Sequence, residues 1–251
     1  MKYIKLFETA AAFESARATL DLPNVSLTEN DMDVHYLPYV APVTPTYEYV
    51  DLGLPSGIKW ANMNVGANSI TDTGIYFAWG DTQGYTADQV SGSSTPHKDF
   101  SWADYEYGNG GSSAADMTKY NSTDGKTVLD LEDDAAHVNM GGSWRMPTEA
   151  DFNELLNTSY CTKSWVTNYE GSGVNGYLFT SKANGNALFF PAVGICNSGS
   201  VSNVGSYGRF WSSSLYTSVV IYGRYLSFGS DYCNADYNNR YYGYAVRGVI
   251  G

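Results

Sequence analysis

Histidine, carboxylate and asparagine clusters are where this chain could do chemistry, and each is poorly arranged for it. His35, His97 and His137 lie in separate regions, with no second His or Cys at the spacing a zinc site needs. Glu132-Asp133-Asp134 could hold Ca2+ or act as an acid–base cluster. Such a run also suits the first turn of a helix, where the dipole favours negative charge. Asn121-Ser-Thr-Asp-Gly125 lacks the alternating acidic ligands and closing Glu of an EF-hand loop and reads as a turn. There is no GxSxG elbow and no phosphate-cradling glycine loop. Cys161, Cys196 and Cys233 are far apart, form no CxxC pair and read as free thiols. These residues point away from an enzyme and require no cofactor and no metal.

The C-terminal segment suits recognition better than reaction. From Ala183 to Gly251, a run of 69 residues, there is no Lys, Glu, Gln, Met or His. Lys and Glu are among the commonest residues of globular proteins, so their joint absence needs a cause. Nine tyrosines fall between Val201 and Gly251, among Ser, Asn, Gly and Asp. Pyrimidine-ending codons encode that repertoire but not Lys, Glu, Gln, Met or Trp; Trp211 alone departs from it. A packed sheet that avoids long side chains is the competing explanation.

Alternation favours a surface. In Tyr225-Leu-Ser-Phe-Gly229, Leu226 and Phe228 point to one face, and Tyr225, Ser227 and Gly229 to the other. Tyr, Ser and Gly are the residues antibody paratopes favour, because Tyr gives large contact area at low entropic cost. Tyr232, Asn234, Asp236 and Asn238 share a second two-residue spacing, and Tyr216, Val219, Ile221, Tyr222 and Arg224 lead into the first. Apolar Val219 to Ile221 in so polar a neighbourhood marks either a contact surface or a buried strand.

These residues need a frame. The pattern predicts a small β-α-β-β unit over residues 1–40, an extended linker over 41–46 and a larger domain over 47–251. In the first, a strand from Tyr3 to Phe7 precedes a helix from Thr9 to Leu20 and a hairpin around Glu29-Asn30-Asp31. That unit is too small to stand comfortably alone and is expected to dock or oligomerise. In the larger domain, strands are expected at Val50–Leu54, Ile58–Met63, Ile75–Trp79, Tyr177–Thr180, Ala187–Pro191, Phe210–Ser213, Tyr225–Phe228 and Tyr244–Ile250. A Ser-, Gly- and Asp-rich insertion fills 83–125. Helices are expected near Glu132–Val138 and after the capping sequence Pro147-Thr-Glu-Ala-Asp151. The fold class is α+β.

Bulk properties narrow the partners. The formal net charge of −12 lacks the basic footprint that nucleic acid requires. The acidity lies before the C-terminal segment, which carries Arg209, Arg224, Arg240 and Arg247 against Asp231 and Asp236. No stretch is apolar enough for membrane insertion. The first residues carry Glu8 and Glu14 and no cleavage site, so no signal peptide is expected.

Five blocks resemble a known family in combination. They are Val50-Asp-Leu-Gly-Leu-Pro-Ser-Gly-Ile-Lys-Trp-Ala-Asn-Met-Asn-Val-Gly66, Gly142-Ser-Trp-Arg-Met-Pro-Thr148, Phe189-Phe-Pro-Ala-Val-Gly194, Phe210-Trp-Ser-Ser-Ser214 and Tyr244-Ala-Val-Arg-Gly-Val249. This set resembles a large paralogous domain of gut-bacterial and phage proteins with the C-type-lectin-like fold shared by formylglycine-generating enzymes. The C-terminal part further resembles the variable proteins of diversity-generating retroelements, in which an error-prone reverse transcriptase rewrites adenine-bearing codons. An Asn-type codon changed only at its adenines cannot yield Lys, Glu, Gln or Met.

The resemblance implies a variable region at about 195–245, with Tyr207, Arg209, Tyr216, Val219, Ile221, Tyr222, Tyr225, Ser227, Gly229, Tyr232, Asn234, Asp236 and Asn238 as ligand-contacting positions. Trp211, Ser212, Ser213, Leu226, Phe228, Arg240 and Arg247 look like scaffold. The cysteine pair of formylglycine-generating enzymes and the calcium motifs of sugar-binding lectins are absent. The implied role is a receptor-binding protein of a phage or prophage tail. It would be assembled in the cytoplasm, bind a bacterial surface protein or glycan, and could form a homotrimer through the N-terminal unit. The alternative is a cell-surface adhesin or lectin with a fixed ligand.

Overall fold

The computed structural model describes residues 47–251; the expected N-terminal unit and linker lie outside the described residues. The described part is mixed, with short antiparallel strands and three short helices. Its first strands are β1 (Tyr49–Asp51) and β2 (Lys59–Ala61), followed by helix α1 (Ala87–Ser91) inside the long insertion. Helices α2 (Ala135–Met140) and α3 (Glu149–Leu156) come next. Strands then fill the rest of the chain: β3 (Cys161–Val166), β4 (Gly176–Ser181), β5 (Ala187–Pro191), β6 (Ile195–Asn197), β7 (Ser200–Ser202), β8 (Gly208–Leu215), β9 (Tyr222–Phe228), β10 (Cys233–Asn239) and β11 (Val249–Ile250). No described helix is long and apolar enough to cross a membrane.

The strands form four small antiparallel sheets, ordered β1-β2-β11, β3-β4-β5, β6-β7 and β10-β9-β8. The last strand returns to the first sheet, with Val249 opposite Trp60. Between them the stretch at Tyr244–Ala245 bridges Phe77 on one side and Phe210 of β8 on the other. The expected strand Ile75–Trp79 is therefore reduced to isolated bridges at Tyr76 and Phe77. Each of its neighbours offers a single pairing residue there.

Local chemistry explains the helices. Thr148 caps α3 by accepting from the Asp151 amide at 3.2 Å, while the Asp151 carboxylate accepts from the Thr148 amide at 2.8 Å and from Arg145 at 2.7 Å. Phe152 and Leu155 face the core. The helix expected near Glu132–Val138 is split. Leu131–Asp133 forms a 3-10 turn, and Asp134 becomes the N-cap of α2, accepting from the His137 and Met146 amides. The long insertion is pinned at Lys98, Tyr105 and Lys119–Tyr120. Tyr105 donates to the Trp79 carbonyl at 2.8 Å, buried Lys98 pairs with buried Asp81 at 2.7 Å, and Arg240 donates to the carbonyls of Lys119 and Tyr120.

Two apolar clusters lie on either side of the β8-β9-β10 sheet. Phe210, Leu226 and Phe228 join one, with Trp60, Phe152 and Phe190; Trp211 and Tyr225 join the other, with Trp79 and Tyr244. Small residues permit this close layering. A Cβ on Gly208 would fall 1.9 Å from the Phe228 ring, and one on Gly223 would fall 2.6 Å from Trp79. Arg247 is fully buried without a carboxylate partner among the described residues. It donates to Asn64 Oδ1 at 2.8 Å and to the carbonyls of Ala61 and Phe189, and lies over the Phe190 ring. Burial pulls its guanidinium down to about 9, which leaves it charged at neutral pH.

Candidate recognition site

The register of the β8-β9-β10 sheet determines where the candidate residues go. Asp236 lies opposite Tyr225, Asn234 opposite Ser227 and Asn238 opposite Gly223, while Arg209 of β8 lies opposite Ser227. Strand pleating puts these on one face and Tyr222, Arg224 and Tyr237 on the other. Side-chain contacts agree. Arg209 donates to the Tyr225 hydroxyl, which donates to Asp236 Oδ2 at 3.3 Å, and Asn238 donates to the Tyr244 hydroxyl at 2.8 Å.

Four expected positions need correction. Tyr225 and Ser227 are buried, at 3% and 1% exposure, where an outward face was expected. The reason is that both faces of β9 are covered, so apolar–polar alternation no longer separates inside from outside. Only the Tyr225 hydroxyl reaches the polar rim; its ring packs 5.7 Å from Trp211 and 4.9 Å from Tyr244. Burial pushes this phenol up to about 12, with Arg209 opposing the shift. Gly229 is also buried, because a Cβ there would approach the Tyr232 and Tyr207 rings at 2.8 and 3.1 Å. Ile221 is half-buried and packs against the core. Val219 to Ile221 are not a strand: they form the tight turn between β8 and β9, with Val219 exposed at its tip.

The remaining candidates fall into three neighbouring groups. Arg209, Asn234, Asp236 and Asn238 form a polar rim around the Tyr225 hydroxyl, each exposed or half-buried. Among the described residues, neither Arg209 nor Asp236 has an oppositely charged side chain within ion-pair distance. At the β9–β10 turn, Tyr207 and Tyr232 pack at 6.2 Å. On the opposite face, Tyr216 and Tyr222 stack on Tyr237, at 4.0 and 5.5 Å. Arg224 lies 4.5 Å over Tyr216 and pairs with Glu149 at 3.2 Å.

Tyr237 is the residue that sequence reasoning missed. It is 42% exposed and sits at the centre of the tyrosine stack, out of phase with the even-numbered set Tyr232 to Asn238. The available signal was the composition of residues 233–239, where only Cys233, Ala235 and Tyr237 break a polar run. A strand with so little to bury on either face belongs at a sheet edge, where both faces meet solvent.

The acidic, histidine and cysteine residues have different surroundings. Asp130, Glu132 and Asp133 converge closely enough to suggest a cation site, but the Lys119 ammonium lies among them, 3.6 Å from Asp130 and 3.1 Å from Glu132. Together with Lys126 on Asp130, it offsets two of the cluster's three negative charges. The Asn121–Gly125 segment is a turn in which Asp124 accepts from the amides of Tyr120, Asn121 and Lys126. His97 contacts Asp99 and His137 contacts the Trp144 carbonyl, far apart in sequence and in different surroundings. Cys161 and Cys196 are buried and Cys233 is half-buried, all as free thiols. No protein-family model, curated protein or solved structure matches the chain.

Proposed function

We propose that this chain is a ligand-binding protein on a C-type-lectin-like scaffold, its C-terminal surface diversified by a retroelement, and that it serves as a receptor-binding protein of a phage or prophage tail. The observation that carries the reading is a division of labour within one strand-rich segment. Residues of the blocks that carry the family resemblance are core: Trp60, Phe190, Phe210, Trp211, Ala245, Val246 and Arg247 are fully buried. Arg209, Tyr232, Asn234, Asp236, Tyr237 and Asn238, by contrast, are exposed or half-buried on β10 and beside it. Substitution there removes no buried apolar packing, as a recognition surface open to variation requires, and touches the interior only at the Tyr225 and Tyr244 hydroxyls that Arg209, Asp236 and Asn238 bond. Tyr and Arg supply large contacts at little entropic cost and are the expected hot spots.

The test is a display library restricted to those six positions, using only residues reachable from Asn-type codons by adenine changes. Most clones should resist proteolysis like the parent, and selection against unrelated proteins and glycans should yield binders that differ from one another only there. A library that unfolds as often as one built on Trp211, Tyr225 and Tyr244 contradicts the proposal.

A further inference from the structure

β10 is an edge strand whose open side, among the described residues, is capped by its own side chains and by Lys163 of β3. Its hydrogen-bonding pattern follows from the flanking bonds Gly229 N–H to Tyr232 C=O and Arg240 N–H to Ile221 C=O. Antiparallel alternation then turns the backbone groups of Asn234, Asp236 and Asn238 toward β9, and those of Cys233, Ala235, Tyr237 and Asn239 away from it. Four of these outward groups are capped. Asn234 Nδ2 donates to the Ala235 carbonyl at 3.2 Å, Asp236 Oδ1 accepts from the Tyr237 amide at 2.9 Å, and Asn238 Oδ1 accepts from the Asn239 amide at 2.9 Å. Lys163 of β3 donates to the Cys233 carbonyl at 3.2 Å. Three of the four caps are candidate recognition residues, each bonding the backbone of the next residue.

We propose that this edge receives an extended, basic polypeptide segment by strand addition, the incoming backbone replacing the side-chain caps. The inference rests on the reading of the chain as a binding protein and names its ligand class. Donors and acceptors that alternate at two-residue pitch match an extended polypeptide, whereas a glycan offers no such ladder. Charge selects the sequence of that segment. Asp236 has no cation within ion-pair distance among the described residues, Arg209 reaching it only through the Tyr225 hydroxyl. A second copy is disfavoured by the same residue. β10 spans Cys233–Asn239, so full antiparallel overlap of two copies sets Asp236 directly against Asp236, a like-charge pair. A Lys or Arg in the ligand reverses that sign.

The experiment uses the full chain and a capped seven-residue peptide alternating Thr and Val, with Lys at its centre. Two controls carry Glu at the centre or methyl groups on alternate backbone nitrogens. Backbone amide exchange should slow at Ala235, Tyr237 and Asn239 with the Lys peptide. The Glu peptide should bind up to about fivefold more weakly, and the methylated peptide should give no protection. Equal binding of the methylated peptide, or protection by the Lys peptide confined to residues outside β10, overturns the proposal. So does protection of the uncapped Ala235 amide in the free chain, whether constant, from another segment of the chain covering the edge, or rising with concentration, from a second copy. Failure here alongside a successful display library would remove strand addition alone; failure of the library would remove the broader reading.

Discussion

Asp81 and Lys98 show how a single buried pair can govern a large piece of this molecule. Both side chains are less than a tenth exposed, and together they tie the insertion to the strand-like stretch that carries Trp79. Burial raises the Asp81 carboxyl to about 6, against the opposing pull of Lys98. A carboxyl that binds its proton more tightly folded than unfolded adds stability at low pH. That contribution is complete below the unfolded value near 3.8 and is lost as pH rises through about 6. Asp81→Asn should therefore flatten the pH dependence of unfolding free energy between about pH 4 and 6, measured by urea denaturation. An unchanged slope across that window would refute the assignment.

At the scale of elements, α3 is the most legible part of the chain and β9 the least. Pro147-Thr148-Glu149-Ala150-Asp151 reads as a capping box, and that is the geometry found, with Arg145 added as a third partner of Asp151. Thr148→Ala should lower stability by about 1 kcal/mol, read as a fall in Tm by thermal denaturation. No change would mean that Arg145 and Asp151 alone hold the helix start. The edges of β5 were equally readable, since Ala187–Pro191 is bounded by Asn186 and Ala192 and carries consecutive apolar residues. β9 misled because alternation reports a boundary between core and solvent, and this strand has core on both sides. Ser227 and Gly229 look polar or neutral in sequence yet are small enough to be covered. β3, β6, β7 and β10 were not marked as strands for a related reason. They carry Thr, Ser, Asn and Lys at many positions, and their pairing is specified by distant partners, not by local pattern.

For the whole molecule, much of the candidate site was readable as composition and less of it as geometry. The tyrosine-rich, lysine-free C-terminal stretch directed attention to β8, β9 and β10. Residue spacing could not reveal that Tyr222 lies on the opposite face from Asp236, nor that Tyr237 joins it there. Among the described residues, a buried aromatic frame carries β10 at the edge of its C-terminal sheet. Trp211, Phe228 and Arg247 hold the fold from inside, while Asn234, Asp236 and Asn238 are exposed or half-buried.

Comparative sequencing of the gene's 3′ end in parallel lineages, together with its immediate neighbourhood, tests the central claim most directly. The account predicts a reverse-transcriptase gene and a near-copy of the final segment close by, with differences among lineages confined almost wholly to adenines and clustered at codons for Arg209, Tyr232, Asn234, Asp236, Tyr237 and Asn238. An invariant 3′ end with no near-copy would contradict it and would favour an adhesin with one fixed ligand.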